Sequence, residues 1–202
     1  MAKQAKVWTG SAWADLASAT TDLTPYSTTA QMNTAINTTS GLNLISTQTL
    51  SGAASIVFTN LTPGKQYRIV SAVNCSTNNI GLYGRFREGS TDKTSSYLST
   101  HIGWVGTTAN NFADTGWFAL SPIGNQASNK QTFSVLDYYI YDNGTAAYLT
   151  GTSTGADSSA ANTPRHVSLF SNNVGMSACN GITLYPTGGT LTGWASLYEY
   201  KK

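Results

Sequence analysis

From residue 42 to the C-terminus, the sequence is a series of short runs rich in threonine, aliphatic and aromatic residues. Turn signals separate these runs, among them Pro63-Gly64, Asn143-Gly144, Asn180-Gly181 and Gly188-Gly189. β-Branched and aromatic side chains suit pleated strands, whereas glycine and asparagine suit tight turns. Many short strands at regular spacing, with no helical period between them, predict an all-β fold and specifically a β-sandwich of the jelly-roll kind.

The predicted strands cover most of this region. They lie at residues 42–50, 55–61, 66–75, 81–87, 96–105, 117–122, 131–141, 148–152, 166–171, 181–185 and 191–200.

The last predicted strand has aliphatic residues on one face and large aromatic residues on the other. Alternation gives the two sets as Leu191, Ala195 and Leu197, and Trp194, Tyr198 and Tyr200. The outer face of a sandwich sheet is normally polar, so a row of aromatics there favours a subunit interface. We therefore predict that Trp194 and Tyr198 belong to an oligomer interface.

The N-terminal segment carries a separate pattern. Two short apolar runs flank Thr9-Gly10-Ser11, which predicts a β-hairpin with glycine at the turn. A two-stranded hairpin is marginally stable alone in water. We therefore expect Trp8 and Trp13 to be buried against the same chain's domain, sister chains or another protein.

A stretch rich in serine and threonine follows, and it contains one helix signal. Thr28 and Gln31 match a capping box, and Met32, Ala35 and Ile36 share one helical face. So short a helix is not stable alone. Two interpretations stay open: a turn or two of linker, or one of three copies packed about a common axis with the apolar stripe inward.

These patterns divide the chain into an attachment segment at residues 1–23, a linker with a short helix at 24–41 and a β-sandwich at 42–202. The net charge is +2 and basic residues do not cluster, so no nucleic-acid partner is expected. No apolar run is long enough for a membrane span, and the N-terminus lacks the apolar core of a secretion signal. Synthesis and assembly in a cytosol are therefore expected.

No catalytic residue, metal site or cofactor is predicted. Cys75 and Cys179 lie in apolar or small-residue surroundings, which is typical of buried, inert thiols in a reducing compartment, and a disulfide between strands is the alternative. The histidines are His101 and His166, and no strained nucleophile motif accompanies the serines. Neither a phosphate-binding loop nor a metal-ligand spacing occurs.

Two predicted loops, at residues 101–112 and 152–164, are candidates for ligand binding, because loops on a rigid scaffold often carry recognition residues. Trp104, with Tyr97 and Asn110 nearby in sequence, would stack on a sugar and donate hydrogen bonds. The alternative is that Trp104 packs in the core or in a subunit interface, which is the commoner use of a strand tryptophan.

Several stretches resemble tailed-phage fibre proteins. Residues 7–13 (VWTGSAW) and 26–33 (YSTTAQMN) resemble segments common in such fibres. Residues 182–198 resemble the closing hairpin of fibre and baseplate C-terminal domains, with an apolar strand, a glycine-rich turn and a Gly-x-x-Ser-Leu-Tyr strand. Residues 67–70 and 82–87 are similar to an earlier part of the same domain.

The resemblance implies a virion protein without enzymatic activity. It implies a homotrimer, attached to other virion proteins through its N-terminus with Trp8 and Trp13, with a β-rich tip outward. Binding of a host-surface polysaccharide by that tip is a further hypothesis. Glu199 departs from the pattern, because related tails often have glycine after the Leu-Tyr pair. The alternatives are a capsid fibre or baseplate decoration protein without a receptor, a free carbohydrate-binding module and a small hydrolase.

Overall fold

The computed structural model describes residues 6–8, 10–15, 41–77, 81–105, 108–120, 131–156 and 164–201. The chain divides into two units, Met1–Gly41 and Leu42–Lys202. In the first unit, β1 (Lys6–Trp8) and β2 (Trp13–Asp15) form an antiparallel hairpin in which Trp8 pairs with Trp13. Gly10 has a φ of +93°, which glycine adopts without strain. The predicted hairpin with glycine at its turn is confirmed.

Two other predictions concern this first unit. The Trp8 side chain is 53% exposed, so the chain itself leaves more than half of this ring uncovered. The predicted helix with Met32 and Ile36 lies outside the described residues. The described part of the chain contains strands, bends and turns but no helix, and thus gives the helical linker no support.

The second unit is all-β, as predicted. Its strands are β3 (Leu42–Ala53), β4 (Ile56–Phe58), β5 (Gln66–Cys75), β6 (Leu82–Glu88), β7 (Thr91–Asp92), β8 (Tyr97–Val105), β9 (Thr108–Asp114), β10 (Phe118–Ala119), β11 (Thr132–Ile140), β12 (Ala146–Ala156), β13 (Pro164–Val174), β14 (Cys179–Pro186) and β15 (Leu191–Tyr200).

These strands form two antiparallel sheets that face each other across one core. The larger sheet has the order β3-β15-β5-β11-β12-β13-β8-β9, and the smaller has the order β10-β6-β14-β4 with β7 paired to β6. Eight of these strands are connected as in a jelly roll. They are β3, β15, β5 and β11 of the larger sheet and β10, β6, β14 and β4 of the smaller sheet. The predicted β-sandwich is confirmed, and β12, β13, β8 and β9 widen one of its sheets.

The widened part of the larger sheet corrects one loop prediction. Residues 101–105 and 108–112 lie in two paired strands rather than in a loop, because β8 and β9 pair from Ser99 with Asp114 to Val105 with Thr108. Small polar residues misled the loop prediction, since sheet pairing uses backbone groups that every residue except proline can provide. The second predicted loop is shorter than expected, because β12 ends at Ala156 and β13 begins at Pro164.

The core between the sheets is aromatic at its centre. The Phe86 ring lies 5.5 Å from Tyr97 and 5.4 Å from both Tyr138 and Phe118, measured between ring centroids. Aromatic pairs at such distances contribute about 0.5–1.5 kcal/mol each beyond their buried area. The core therefore joins the two sheets through one cluster of rings.

Both cysteines belong to this core. Cys75 and Cys179 are buried thiols that form no disulfide with each other. Burial raises the pKa of the Cys75 thiol to about 11, so the reactive thiolate is scarce at neutral pH. The prediction of buried thiols is confirmed.

Candidate functional site

The outer face of the smaller sheet carries an unusual set of side chains. Along β6, Leu82, Gly84 and Phe86 are buried in the core, and the residues between them point away from it. The outward positions hold Tyr83 and Arg85. Tyr185 on β14 pairs with Tyr83, so the Tyr185 side chain lies on the same face as Tyr83 and Arg85.

These residues line a groove of about 330 Å³, which is at the lower end of the range for ligand pockets. Its walls are Tyr83, Arg85, Trp117, Tyr185, Pro186 and Thr187. They come from β6, from the residue before β10, and from β14 with the residue after it. The groove therefore depends on the jelly-roll topology, which brings three separate parts of the chain together.

Three aromatic rings meet at the groove. Tyr83 contacts Trp117 edge-on, with 5.6 Å between ring centroids and an interplanar angle of 66°. Tyr83 also lies 6.4 Å from the ring of Tyr185 at a tilt of 40°. The Trp117 side chain remains 37% exposed. The rings therefore fix one another while the indole stays accessible to a ligand.

Arg85 supplies the charge of the groove. Its guanidinium lies over the Tyr185 ring, 5.1 Å from the centroid, and its Nε donates to the Gly116 carbonyl at 3.2 Å. Burial raises the pKa of Tyr185, and the positive charge of Arg85 opposes that rise without cancelling it. The phenol is therefore protonated at neutral pH and acts as a neutral hydrogen-bonding group.

One end of the groove is fixed by backbone contacts. The Thr187 backbone N–H donates to the Gly81 carbonyl at 3.0 Å, and the Gly81 N–H donates to the Thr187 hydroxyl at 3.2 Å. A Cβ at Gly81 would lie 2.6 Å from the Tyr83 ring. Glycine at this position therefore lets the ring of Tyr83 lie where it forms the groove wall.

The neighbouring arginine on β6 serves a structural purpose instead. Arg87 Nη1 donates to Asp92 at 2.6 Å and to the Thr183 hydroxyl at 2.7 Å, and the same hydroxyl donates to Asp92 at 2.7 Å. The charges of Arg87 and Asp92 compensate each other. Arg85 is thus the uncompensated charge beside the groove.

The structure buries one of the three residues that the sequence suggested for ligand binding. Tyr97 is 4% exposed, its ring stacks on Phe86, and its hydroxyl accepts from the Phe86 N–H at 2.7 Å. No face of that ring is open to a ligand. The backbone of Trp104 lies in β8, paired with Ala109 and His166, and that of Asn110 lies in β9. The side chains of Trp104 and Asn110 lie outside the description.

The outer face of the larger sheet differs from the groove face. Its exposed apolar side chains include Leu98, Ile102, Phe133, Phe170, Val174 and Trp194. Near one end of β5 and β11, Arg68 Nε and Nη2 each donate to Asp137 at 2.9 Å, and the Tyr200 hydroxyl donates to the same carboxylate at 2.7 Å. Exposed apolar side chains are thus spread over this face among polar ones, mostly threonines, and the Arg68–Asp137 ion pair has no net charge.

The predicted alternation of the last strand is confirmed on this face. The aliphatic set is buried in the core: Leu191, Ala195 and Leu197. Trp194 is 38% exposed, and Tyr198 is half-buried. The sequence thus predicted which side chains of β15 lie outside the core.

The Asp137 carboxylate accepts three hydrogen bonds on this face. Burial acts to raise its pKa, but the hydrogen bonds from Arg68 and Tyr200 outweigh burial, and the pKa lies below its usual value. The carboxylate is therefore ionised throughout the neutral range.

Among the described residues, no group of three or more His, Cys, Asp or Glu side chains could hold a metal ion. Within the same part of the chain, no helix is long and apolar enough to cross a membrane. No protein-family model matches the chain, and no curated protein matches it. The indications of function are therefore the groove, the exposed face of the larger sheet and the resemblance of individual segments to phage fibre proteins.

Proposed function

We propose that the chain is a fibre or tip module of a tailed-phage virion, assembled in the bacterial cytoplasm, whose β-sandwich binds a host-surface glycan. The groove carries the glycan part of this proposal, because it combines an accessible indole, two tyrosines and an arginine in one concavity. The segment resemblances support the virion part, with Trp8 and Trp13 in the hairpin that contacts other virion proteins.

A sugar ring fits this set of groups. Its C–H faces are apolar and pack on aromatic rings, while its hydroxyl edge needs hydrogen-bond donors and acceptors. Trp117 and Tyr83 provide ring surface, and Arg85 and the Thr187 hydroxyl provide polar contacts at the rim. Tyrosine and tryptophan also lose little conformational entropy on binding, because each has two side-chain torsions.

Two tryptophan variants test the glycan proposal. The full chain is screened against bacterial surface polysaccharides, and the affinity for each binder is measured by calorimetry. Trp117→Ala is expected to weaken binding about tenfold or more, as loss of a stacking aromatic costs on the order of 1–2 kcal/mol. Trp194→Ala is the matched control, because its indole is equally exposed but lies on the other sheet. Equal binding by both variants would contradict the proposal.

We further propose that a second copy of the chain covers the apolar face of the larger sheet, in a homotrimer. Eight strands about 4.8 Å apart and about 30 Å long span on the order of 1,100 Å². A standard interface buries about 800 Å² of each partner, so this face has the area for one standard interface or for two smaller contacts with neighbouring copies. Its charges at Arg68 and Asp137 already compensate each other, so it favours another neutral apolar face over a charged partner.

The solution mass of the full chain, measured by sedimentation equilibrium, tests the homotrimer. A trimer supports burial of Trp194 and Tyr198 between copies. A trimer that binds no polysaccharide would favour a capsid fibre or baseplate decoration protein. A monomer that binds a polysaccharide through Trp117 would favour a free carbohydrate-binding module.

A further inference from the structure

We infer that the groove selects an acidic saccharide, in which the carboxylate of a uronic acid pairs with Arg85 while the sugar ring packs on Trp117. This inference rests on the proposed glycan binding and adds the chemical class of the ligand. It starts from the charge of the groove rather than from its aromatic rings.

Arg85 differs from the cations around it. Four other basic side chains in the described part each have a carboxylate partner: Lys65 with Glu199, Arg68 with Asp137, Arg87 with Asp92, and Lys93 with Glu88. Arg85 has no carboxylate partner among the described residues; its contacts are the Gly116 carbonyl and Tyr185. A cation that is half-buried in a groove without a counter-ion attracts an anionic ligand.

The guanidinium is also held in a defined plane. The bond from Nε to the Gly116 carbonyl fixes one edge, and the Tyr185 ring supports one face. A guanidinium held in this way is preorganised for two parallel hydrogen bonds to a carboxylate. An ammonium group at the same position would lack both the planar fork and the stacking.

Asp92, an acidic side chain on the same sheet, is already paired with a cation. The Asp92 carboxylate accepts from Arg87 at 2.6 Å and from the Thr183 hydroxyl at 2.7 Å. Its charge is therefore compensated. Among the described groove residues, Arg85 supplies the positive charge, beside the exposed indole of Trp117.

The test compares acids with their neutral esters. The full chain is labelled with ¹⁵N at the indoles of its five tryptophans and titrated with methyl β-glucuronide and methyl α-galacturonide, their methyl esters, and sodium acetate. We expect a uronide to shift the Trp117 signal and to bind about 10–100-fold more tightly than its ester, the range for a charge-assisted pair. Acetate is expected to shift that signal only at far higher concentration.

Substitutions at Arg85 test whether its positive charge causes the preference for the acid. Arg85→Gln is expected to abolish the preference for the acid over the ester, and Arg85→Lys to restore only part of it. Arg68→Gln, on the other sheet, serves as the matched control and is expected to leave the preference unchanged.

Three results would overturn the inference. Equal affinity for acid and ester, with dependence on Trp117, would leave the glycan proposal standing and remove its acidic ligand class. Acetate as effective as a uronide would indicate a simple anion site. No shift of Trp117 with any of these probes, together with tight binding of a neutral polysaccharide, would also exclude the acidic ligand class.

Discussion

The two outer faces of this sandwich are built on one core and differ in both shape and charge. On the smaller sheet, aromatic rings and Arg85 surround a concave groove. On the larger sheet, apolar side chains spread over a broad surface on which Arg68 and Asp137 compensate each other. A concave, charged surface suits a small polar ligand, whereas a broad, neutral apolar surface suits another protein chain.

One tryptophan on each face illustrates the difference between the two surfaces. Trp117 and Trp194 are exposed to nearly the same extent, 37% and 38%. Trp117 meets the edge of Tyr83, whereas Trp194 lies within β15, between Thr49 of β3 and Ala72 of β5. The two tryptophans therefore differ in their neighbours rather than in their exposure, and the proposed roles of glycan binding and subunit contact rest on those neighbours.

The largest expected effect comes from the core that both faces share. Phe86→Ala removes a ring that contacts Tyr97, Tyr138 and Phe118, and should cost about 3–5 kcal/mol of unfolding free energy. Chemical denaturation followed by tryptophan fluorescence and by far-UV circular dichroism measures the loss. Both signals should fall in one transition. Two separate transitions would show that the two sheets unfold independently.

The next effect concerns the apolar face alone. Phe133→Asp places a charge at a position where the ring is 45% exposed in the single chain. A buried charge without a partner is strongly unfavourable, so the proposed trimer should dissociate to monomers in sedimentation experiments, while the proposed glycan binding by the groove is retained. Trp117→Ala is the control and should leave the mass unchanged. If the Phe133→Asp variant still forms a trimer, the interface does not include this position.

A smaller effect is expected from the groove wall. Gly81→Ala forces the Tyr83 ring to move, because the new Cβ would lie 2.6 Å from it. Glycan affinity should fall about tenfold, equivalent to about 1.4 kcal/mol, while the solution mass stays the same. In a Tyr83→Ala background, the same substitution should have little further effect, which a double-mutant cycle measures. Additive losses would mean that Gly81 acts by another route.

The smallest effect concerns the ion pair on the apolar face. Asp137→Asn should cost about 1 kcal/mol at neutral pH, a modest value because the pair is partly exposed to solvent. The folded-state pKa of Asp137 lies below its usual value of 3.8, so its stabilisation is fully present above pH 3.8 and is lost as the pH falls through the folded-state pKa. The difference between wild type and variant should therefore shrink in acid.

Urea denaturation across that pH range measures the change. Glu199→Gln serves as the control, since Glu199 pairs with Lys65, which is more exposed than Arg68, and its loss should lower stability less than Asp137→Asn does. A constant difference between wild type and Asp137→Asn at every pH would show that the loss comes from packing rather than from charge.

The sandwich and the outer residues of its last strand could be predicted from sequence because both depend on local patterns. Alternation along β15 follows from strand geometry, and glycine-containing turns mark many strand ends. Strand β8 was predicted, but its partner β9 was missed, since the small polar residues of β9 resemble a loop. Backbone pairing depends little on such side chains.

The groove could not be predicted in the same way. Alternation in residues 82–87 does place Tyr83 and Arg85 on the face opposite Phe86. Their companions Trp117 and Tyr185 are distant in sequence, and only the pairing of β6 with β10 and β14 brings them to that face. Residues that only strand pairing brings together have no characteristic spacing in the sequence.

The pairing of β3 with β15 has a topological consequence. Leu42 and Tyr200 are register partners, so the first and last strands of the sandwich begin and end side by side. The strand path is therefore nearly a closed circle, and a short turn joining the two residues would complete it without changing any strand pair. The sandwich should therefore tolerate a circular permutation that joins Tyr200 to Leu42 and opens the chain at another turn.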